Sequence, residues 1–444
     1  MKRRMLGMFL CVAMVISALI GCNSNAGKGG TASSGSVQKS NESESNASNG
    51  EETGGKEIYM FISQPEYAEA INTLIDEYKK VEPDVTVRYE TTQNDYPTLL
   101  KAKLNSGECP DIFSSTSGKE IEVYKEYSFD LADQPLAKVM LPAVAGSMKD
   151  AQGNGVYGLA IKGNYFGLIY NKKLLEQVGV SEAPKTLTEL KTLVKKLKDA
   201  GIQPFTSGFG EWWVYKHVFQ HFMAASGEDY QTLVGKLEKG ETSLSSYPVL
   251  CDNFFSFVDL VKENGDPKVL ETDLSAEESS FAAGNTAIMV GQGAWVEADI
   301  KKIDPDLQIL FAGYPVDEDP KHCQVITGAD QALRVYKDSK NLDATLKFLN
   351  WWYTSDYGKS WFTDIAGVVP PIETTKESDY EIIKQGSKLA KDDGSAPLGV
   401  IYSTDSFHTA FGEAMQSYVE GGSSKEETIK TIEEKWKDID GTEN

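Results

Sequence analysis

Apolar and polar positions follow two different periods along the chain from residue 57 onward. An apolar run of strand length occurs at 58–62, an alternating strand pattern at 85–89 and a third, short strand pattern at 111–113. Apolar residues recur at helical spacing over 67–78 and 96–104. Strand-like alternation has a period of two, whereas a helix face repeats every 3.6 residues. Strands that alternate with helices in this way predict a parallel α/β sheet.

The same alternation returns in the second half of the chain, without an internal repeat of fixed period. A helical pattern over 187–197 ends at Gly201 and is followed by a strand pattern at 202–206. The last hundred residues are mostly of helical spacing. Further strands are predicted at 286–290 and 331–336, and further helices at 254–261, 342–353, 380–390, 407–419 and 425–436.

The first 56 residues do not show this alternation. Three basic residues, Lys2 to Arg4, precede an apolar run over 5–20 that is short for a transmembrane helix. This pattern is typical of a secretory signal peptide, which we assign to residues 1–21. Residues 22–56 are rich in Ser, Asn, Gly, Glu and Lys and contain no aromatic residue, so we expect a flexible linker.

Composition narrows the classes of function. The 444 residues suffice for two or three domains, and the formal net charge of −22 argues against binding nucleic acid or an anionic membrane surface. Cys109, Cys251 and Cys323 are scattered and odd in number. Their spacing fits neither a disulfide framework nor a metal site, so we expect buried small hydrophobic side chains, with no metal and no cofactor.

Candidate binding residues follow the predicted strands, where ligands bind in open α/β sheets. The segments 63–67, 114–118, 207–213, 291–295 and 328–330 combine uncharged polar groups and glycines with a carboxylate or a tryptophan. We expect 207–213, SGFGEWW, to be a loop. Aromatic rings stack on the C–H faces of sugars while polar groups bind the hydroxyls, so this composition favours a carbohydrate ligand. The tryptophans at 351, 352, 361 and 436 are expected in the core.

Four segments resemble one family in the family's own order. They are GVYGLAIKGNYFGLIYNKKLL at 155–175, LNSGECPDIF at 104–113, FAAGNTAIMVGQGAW at 281–295 and AGVVPP at 366–371. They are similar to the extracellular solute-binding proteins of ABC importers, in the carbohydrate-binding group, and the resemblance covers about residues 57–437. Leu19-Ile-Gly-Cys22 also resembles the lipobox of bacterial lipoproteins.

The resemblance implies an α/β fold of the type II periplasmic-binding-protein class. Each of its two lobes would be a mainly parallel sheet flanked by helices, with the ligand cleft between them. We expect the first lobe at 57–161 and 292–336 and the second at 165–284 and 340–444. The hinge crossings between the lobes would lie at 162–164, 285–291 and 337–339.

The resemblance also implies the function, the partners and the site. The expected protein is a monomeric, non-enzymatic receptor that delivers a sugar to ABC importer permease subunits. Lipid on Cys22 would hold it at the extracellular face of a Gram-positive cell membrane. The expected ligand-binding residues are Gln64, Glu66, Ser117, Tyr165, Glu211, Trp212, Trp213, Gln292, Trp295, Asp330 and Phe407.

Three alternatives remain open from the sequence. A glycoside hydrolase needs two opposed carboxylates, and 66 acidic residues cannot exclude such a pair. His217 and His221 share a helix face but lack the glutamate of a zinc-protease helix, so a metal receptor is disfavoured. A receptor of the same fold for a polyamine, peptide or amino acid is the strongest alternative, because acidic and aromatic residues also bind amines.

Overall fold

The computed structural model of the protein describes residues 56–374 and 376–442. The expected signal peptide, Cys22 and the linker up to residue 55 lie outside these residues. The strands are β1 Lys56–Ile62, β2 Val85–Thr91, β3 Ile112–Thr116, β4 Leu159–Ala160, β5 Asn164–Phe166, β6 Leu168–Asn171, β7 Gln203–Ser207, β8 Thr286–Val290, β9 Ile309–Ala312, β10 Val325–Gly328, β11 Gln331–Val335 and β12 Ser395–Pro397.

The helices cover the faces of these strands. They are α1 Ala68–Val81, α2 Tyr96–Ser106, α3 Lys119–Val123, α4 Pro135–Lys138, α5 Pro142–Ala145, α6 Lys172–Gln177, α7 Leu187–Asp199, α8 Trp212–Ala224, α9 Tyr230–Glu238, α10 Phe254–Asn264, α11 Leu274–Ala282, α12 Glu297–Ile303, α13 Leu342–Thr354, α14 Asp356–Ser360, α15 Glu381–Asp392, α16 Asp405–Glu420 and α17 Lys425–Thr442. No helix within the described residues is both long and apolar enough to cross a membrane.

The first lobe is built on a five-stranded sheet in the order β2-β1-β3-β11-β4. β1 is parallel to β2 and β3, whereas β11 runs antiparallel to β3 and β4. The apolar run of β1 is buried, with Ile58, Met60 and Ile62 fully enclosed. α1 and α13 meet on one face, where the rings of Tyr78 and Phe348 are 4.9 Å apart. The predicted α/β alternation is therefore confirmed here.

The second lobe contains the four-stranded sheet β7-β8-β6-β9 and the three-stranded sheet β12-β10-β5. α8 packs against α16, and its residues 213–223 are all buried. A helix that is buried on every side lies in a core, and α8 is the central helix of this lobe although it carries Lys216, His217, Gln220 and His221. Trp436 on α17 and Phe407 on α16 stack beside it, with ring centroids 4.3 Å apart.

The chain passes between the lobes at places that differ in part from those expected. It crosses between β4 and β5, between β10 and β11, and again after Ile372, which pairs with Met140 in the first lobe. At the first crossing the Gly163 amide donates to the Val369 carbonyl at 2.7 Å. The crossings expected at 285–291 and 337–339 instead lie inside the second and first lobes.

Sheet pairing explains this difference. β8 pairs with β7 and β6, and β9 pairs with β6, so these parts of 285–336 belong to the second lobe. Asn341 Nδ2 donates to the Glu57 carbonyl at 2.7 Å, which ties the start of α13 to β1 in the first lobe. The expected placement is thus incorrect for 292–328, which lie in the second lobe, and for 340–372, which lie in the first. Apolar periodicity predicts an element without indicating which sheet it joins.

The cysteines and helix-borne tryptophans follow the expectations in part. Trp352, Trp361 and Trp436 are fully buried, whereas Trp351 is half-buried. Cys109, Cys251 and Cys323 are free thiols, but only Cys251 is buried. The expectation of buried cysteines therefore holds for Cys251 alone.

Candidate ligand-binding cleft

A cleft between the lobes gathers many of the residues that follow strands. It holds about 650 Å³ of non-atom space, its open mouth included. The first lobe and the crossings line it with Ser63, Gln64, Glu66, Gln93, Tyr96, Pro97, Thr116, Lys162, Asp330 and Gln331, and the second lobe with Trp212, Trp213, Lys216, His217, Leu274, Trp295 and Asp405.

Gln64 lies directly after β1 and is held in a fixed orientation. Its amide nitrogen donates to Gln331 Oε1 at 3.0 Å and to Ser63 Oγ at 2.7 Å. Its side-chain oxygen, Oε1, is buried and has no hydrogen-bond partner among the described residues. An unpaired buried acceptor costs free energy, so this oxygen is suited to receive a hydrogen bond from a ligand.

Glu66 occupies the short 3₁₀ helix Pro65–Tyr67 next to Gln64. The side chain is partly exposed, but its Oε2 is buried without a partner among the described residues. Burial raises the pKa of Glu66 to about 7; nearby Lys162 opposes this shift and Asp330 adds to it. Glu66 can therefore accept or donate a hydrogen bond near neutral pH.

The segment SGFGEWW is a turn that opens a helix, and the expected loop therefore ends at Glu211. The Glu211 amide donates to the Gly208 carbonyl at 2.9 Å, and Trp212 is the first residue of α8. Trp212 Nε1 is buried without a partner among the described residues. The helix thus presents the Trp212 ring and an available N–H donor to the cleft.

Glu211 supports the neighbouring tryptophan and does not line the cleft. One carboxylate oxygen accepts from Trp213 Nε1 at 2.5 Å, and the other accepts from the Leu274 amide at 3.3 Å. Gln292 supports Trp295 in the same way. Its Oε1 accepts from Trp295 Nε1 at 3.1 Å, and its Nε2 donates to Glu277 at 2.7 Å. Both residues fix tryptophans that line the cleft.

Two buried lysines lie over the tryptophan rings. Lys162 Nζ is 4.7 Å from the Trp295 ring centroid, and Lys216 Nζ is 5.2 Å from that of Trp212. Lys216 also pairs with Asp405 at 3.6 Å. An ammonium over an indole face is attracted by the negative charge of the ring, and it retains N–H donors for a ligand.

His217 packs among aromatic rings at the edge of the cleft. Its Nδ1 lies 3.2 Å from the Gly291 carbonyl, and its ring centroid is 5.2 Å from that of Trp213. Burial lowers its pKa well below the ordinary value, so the ring is neutral. His221 instead stacks on Tyr314 at 4.1 Å in the core. The described residues hold no cluster of three or more potential metal ligands.

The other expected site residues divide between the cleft and the core. Asp330 lines the cleft, where its Oδ1 accepts from Asn164 Nδ2 at 2.7 Å. Ser117 is fully buried and donates to the Ala329 carbonyl at 2.7 Å. Tyr165 packs closely against Gly386 of α15, and Phe407 stacks on Trp436. Ser117, Tyr165 and Phe407 therefore do not line the cleft in this structure, and their ligand contacts stay a prediction.

Sequence reasoning missed several cleft residues. Gln93 follows β2, the one early strand whose end the search for binding residues passed over. Lys216 lies one helical turn after Trp212, and Asp405 opens α16 with Thr116 as its partner across the lobes. The position of Gln93 after a strand was a usable signal, whereas only tertiary structure brings Asp405 to the cleft.

Comparisons with known proteins agree with this architecture. Residues 63–359 match the model of the family described as bacterial extracellular solute-binding protein. The maltotriose-binding protein of Pyrococcus abyssi is 24% identical over 313 residues, which is 68% of this chain and 63% of that protein. The melibiose/raffinose/stachyose-binding protein of Bacillus subtilis is 22% identical over 307 residues, 66% of this chain and 68% of that protein.

A solved structure supports the fold. A sugar transporter protein from Bacillus licheniformis, crystallised with stachyose, superimposes with a TM-score of 0.74 at 18% identity. The superposition covers 86% of this chain and all of that chain. The two-lobe type II fold expected from the sequence is therefore confirmed. The match over residues 63–359 spans more than half of the chain, and the protein belongs to the family of bacterial extracellular solute-binding proteins.

Proposed function

We propose that the protein is an extracellular receptor that captures a sugar, most simply an oligosaccharide, in the interlobe cleft and delivers it to the permease of an ABC importer. The observation that carries this proposal is the pairing of three tryptophans with buried polar atoms that have no partner among the described residues. Relatives named for maltotriose and for melibiose, raffinose and stachyose support it.

The cleft offers each kind of contact that a sugar requires. The rings of Trp212, Trp213 and Trp295 can cover the apolar faces of pyranoses. The oxygens of Gln64 and Glu66 can accept from hydroxyls, and Trp212 Nε1 and Lys162 can donate. We propose that the sugar is bound without being cleaved, as befits a receptor. The lobes would close over it by bending at the crossings near 162–164, before β11 and after Ile372.

We also propose that the protein is anchored outside the cell by lipid on Cys22. The lipobox-like Leu19-Ile-Gly-Cys22 and the linker composition of 22–56 support this. Two acyl chains hold a protein on a membrane stably, whereas one is marginal. Membrane fractionation of a Cys22→Ala variant tests the anchor, and a variant that stays processed and membrane-bound would contradict it.

A polyamine or peptide amine is a weaker ligand for this cleft. Glu66 and Asp330 offer carboxylates, but Lys162 and Lys216 line the same space and are buried. A cationic ligand would bring further positive charge next to these ammonium groups. Like charges at short distance in a desolvated site repel strongly.

A thermal-shift screen tests the proposed function. The panel would include glucose, maltotriose, raffinose and stachyose, with spermidine and a tripeptide for the alternative. A ligand at a hundred times its dissociation constant adds about 2.7 kcal/mol to the free energy of unfolding. We expect stabilisation by at least one oligosaccharide and recovery of that sugar intact. Stabilisation by spermidine alone, or cleavage of the sugar, would overturn the proposal.

A further inference from the structure

The two lobes also meet at the start of α16, beside the cleft. The Asp405 amide of the second lobe donates to Glu120 Oε1 of the first lobe at 2.8 Å. Thr116 Oγ1 of the first lobe donates to Asp405 Oδ1 at 2.6 Å. Gly118 lies so close to Ile401 that an added Cβ would be 2.4 Å from its carbonyl oxygen. The contact is therefore tight and is made by both backbone and side chains.

A carboxylate is well placed opposite the first turn of a helix. The N–H groups of that turn have no partner within the helix, and the helix dipole favours negative charge there. Glu120 is 2% exposed, and its Oε1 receives one of these N–H groups from the 16-residue helix α16. Its Oε2, however, is buried with no hydrogen-bond partner among the described residues.

The charges around this contact do not neutralise both carboxylates. Lys216 of α8 pairs with Asp405. Arg334 of β11 directs its guanidinium to backbone carbonyls and serine hydroxyls, two of them the carbonyls of Glu120 and Ile121. Lys101 of α2 donates to Ser406 Oγ at 2.7 Å.

The neighbouring aromatic groups add no positive charge. His408, one turn along α16, is neutral because burial lowers its pKa to about 3. Tyr124 lies at the end of α3, and burial raises its pKa far above neutrality. Glu120 therefore lies next to Asp405 across the lobe boundary. Lys101 and Arg334 lower its pKa through their charge, but neither forms an ion pair with its carboxylate among the described residues.

We propose that the contact between Glu120 and Asp405 is a proton-linked clasp, in which Glu120 takes up a proton when the lobes close and releases it when they open. The inference rests on the lobe motion of the proposed function. Opening would carry α16 away from α3 and return the Glu120 carboxyl to water. With the lobes in contact as they are here, burial and the nearby Asp405 carboxylate raise the pKa of Glu120 to about 8, against the opposing charges of Lys101 and Arg334.

The direction of the pH effect follows from this difference. The closed form binds the extra proton between the ordinary range of a glutamate and about pH 8. Lower pH within this window therefore favours closure, and the advantage is lost as pH rises through about 8. The ratio of closed to open protein changes by up to about tenfold per pH unit inside the window.

Small-angle scattering of the protein without any sugar tests the clasp. Samples would be compared at steps from about pH 6 to about pH 9, the window set by linkage. We expect the radius of gyration of the wild type to increase with pH. Glu120→Gln keeps the shape of the side chain and cannot ionise, so it should stay compact over the whole range.

Glu122→Gln is the matched control on the same helix. The Glu122 carboxylate accepts from the Ala151 amide within the first lobe and is 39% exposed. This variant should show the wild-type response. A radius of gyration that is independent of pH in the wild type, or an unchanged response in Glu120→Gln, would overturn the clasp. If Glu120→Gln does not fold, Glu66→Gln decides, because Glu66 in the cleft also has a pKa of about 7. A pH response that persists in Glu66→Gln supports the clasp, and a response that is lost there contradicts it. Because no sugar is present, the outcome is independent of the ligand screen.

Discussion

Hydrogen-bond saturation separates the side chains that support the cleft from those that can bind a ligand. Glu211 and Gln292 use their polar atoms on Trp213, Trp295 and neighbouring groups. Gln64, Glu66, Gln93 and Trp212 each keep a buried polar atom without a partner among the described residues. Leaving such atoms unpaired costs roughly 1–3 kcal/mol each, which a ligand can recover. Glu211 and Gln292 are therefore needed to hold the tryptophans in place, and the residues with unpaired atoms are needed to contact the ligand.

Trp212→Ala should mainly lower the affinity for the sugar, whereas Glu211→Ala should mainly lower the stability of the free protein. Loss of the Trp212 ring removes stacking and burial worth roughly 2–3 kcal/mol, or about a hundredfold in affinity at the upper end. Glu211→Ala leaves the Trp213 N–H and the Leu274 amide without their acceptor, so the free protein should lose about 1–3 kcal/mol of stability.

Calorimetric titration with the sugar found in the screen and melting of the free protein measure the two effects. Trp212→Phe is the control, since it keeps an aromatic ring but lacks the N–H donor. An early-melting Trp212→Ala with wild-type affinity would show that this ring supports packing.

At the scale of elements, the sequence pattern predicted where strands and helices lie better than it predicted which of them pack together. The strand at 58–62 and the helices of the last hundred residues lie within β1, α13, α15, α16 and α17. The predicted loop at SGFGEWW was wrong beyond Glu211, because the glycines precede the helix and do not interrupt it.

Six of the expected site residues line the cleft: Gln64, Glu66, Trp212, Trp213, Trp295 and Asp330. Lys216 and Asp405 could not be predicted, because they enter only through the packing of α8 and α16.

Gly118→Ala should weaken sugar binding by obstructing the contact between α3 and the segment Val400–Tyr402. Gly118 has a φ of +68° and a ψ of −117°, a combination that glycine tolerates and other residues do not. Alanine there should cost more than the roughly 1–2 kcal/mol of a left-handed residue, and its Cβ would also collide with Ile401. Gly107 at the end of α2 has a φ of +78° and open space around it. Gly107 is in the left-handed helical region, so Gly107→Ala carries only the cost of a left-handed alanine, about 1–2 kcal/mol, without the collision.

Melting of both variants and titration with the sugar distinguish the two costs. We expect Gly118→Ala to lose more stability than Gly107→Ala, and only Gly118→Ala to lose affinity. Equal affinities in the two variants would show that the lobes do not need this close approach to bind.

The whole molecule carries a net charge of −22, yet its cleft contains lysines and carboxylates together. Ion pairs also join the lobes at exposed positions, such as Lys302 with Glu69 at 3.0 Å. Exposed pairs of this kind contribute about 0–1 kcal/mol. Lobe closure should therefore depend mainly on the buried contacts of the cleft and of Asp405, and little on surface charge.

This balance predicts that sugar affinity responds only weakly to ionic strength. A neutral sugar gains nothing from the long-range field of an acidic protein, and screening changes only the exposed interlobe pairs. Raising salt from about 0.05 M to about 0.5 M shortens the Debye length from roughly 14 Å to roughly 4 Å. The lost pairs would cost about 1 kcal/mol at most, which corresponds to less than about a fivefold change in the dissociation constant.

Titration calorimetry at the two salt concentrations measures this response, with spermidine as the comparison ligand. A polycation is attracted by the net negative charge of the protein, and salt screens this attraction. It would therefore bind much more weakly at high salt than at low salt. A steep loss of affinity for the bound solute would therefore favour a cationic ligand over a neutral sugar. A nearly flat response would place the binding energy in the tryptophan rings and buried polar atoms of the cleft, since these contacts are shielded from added ions.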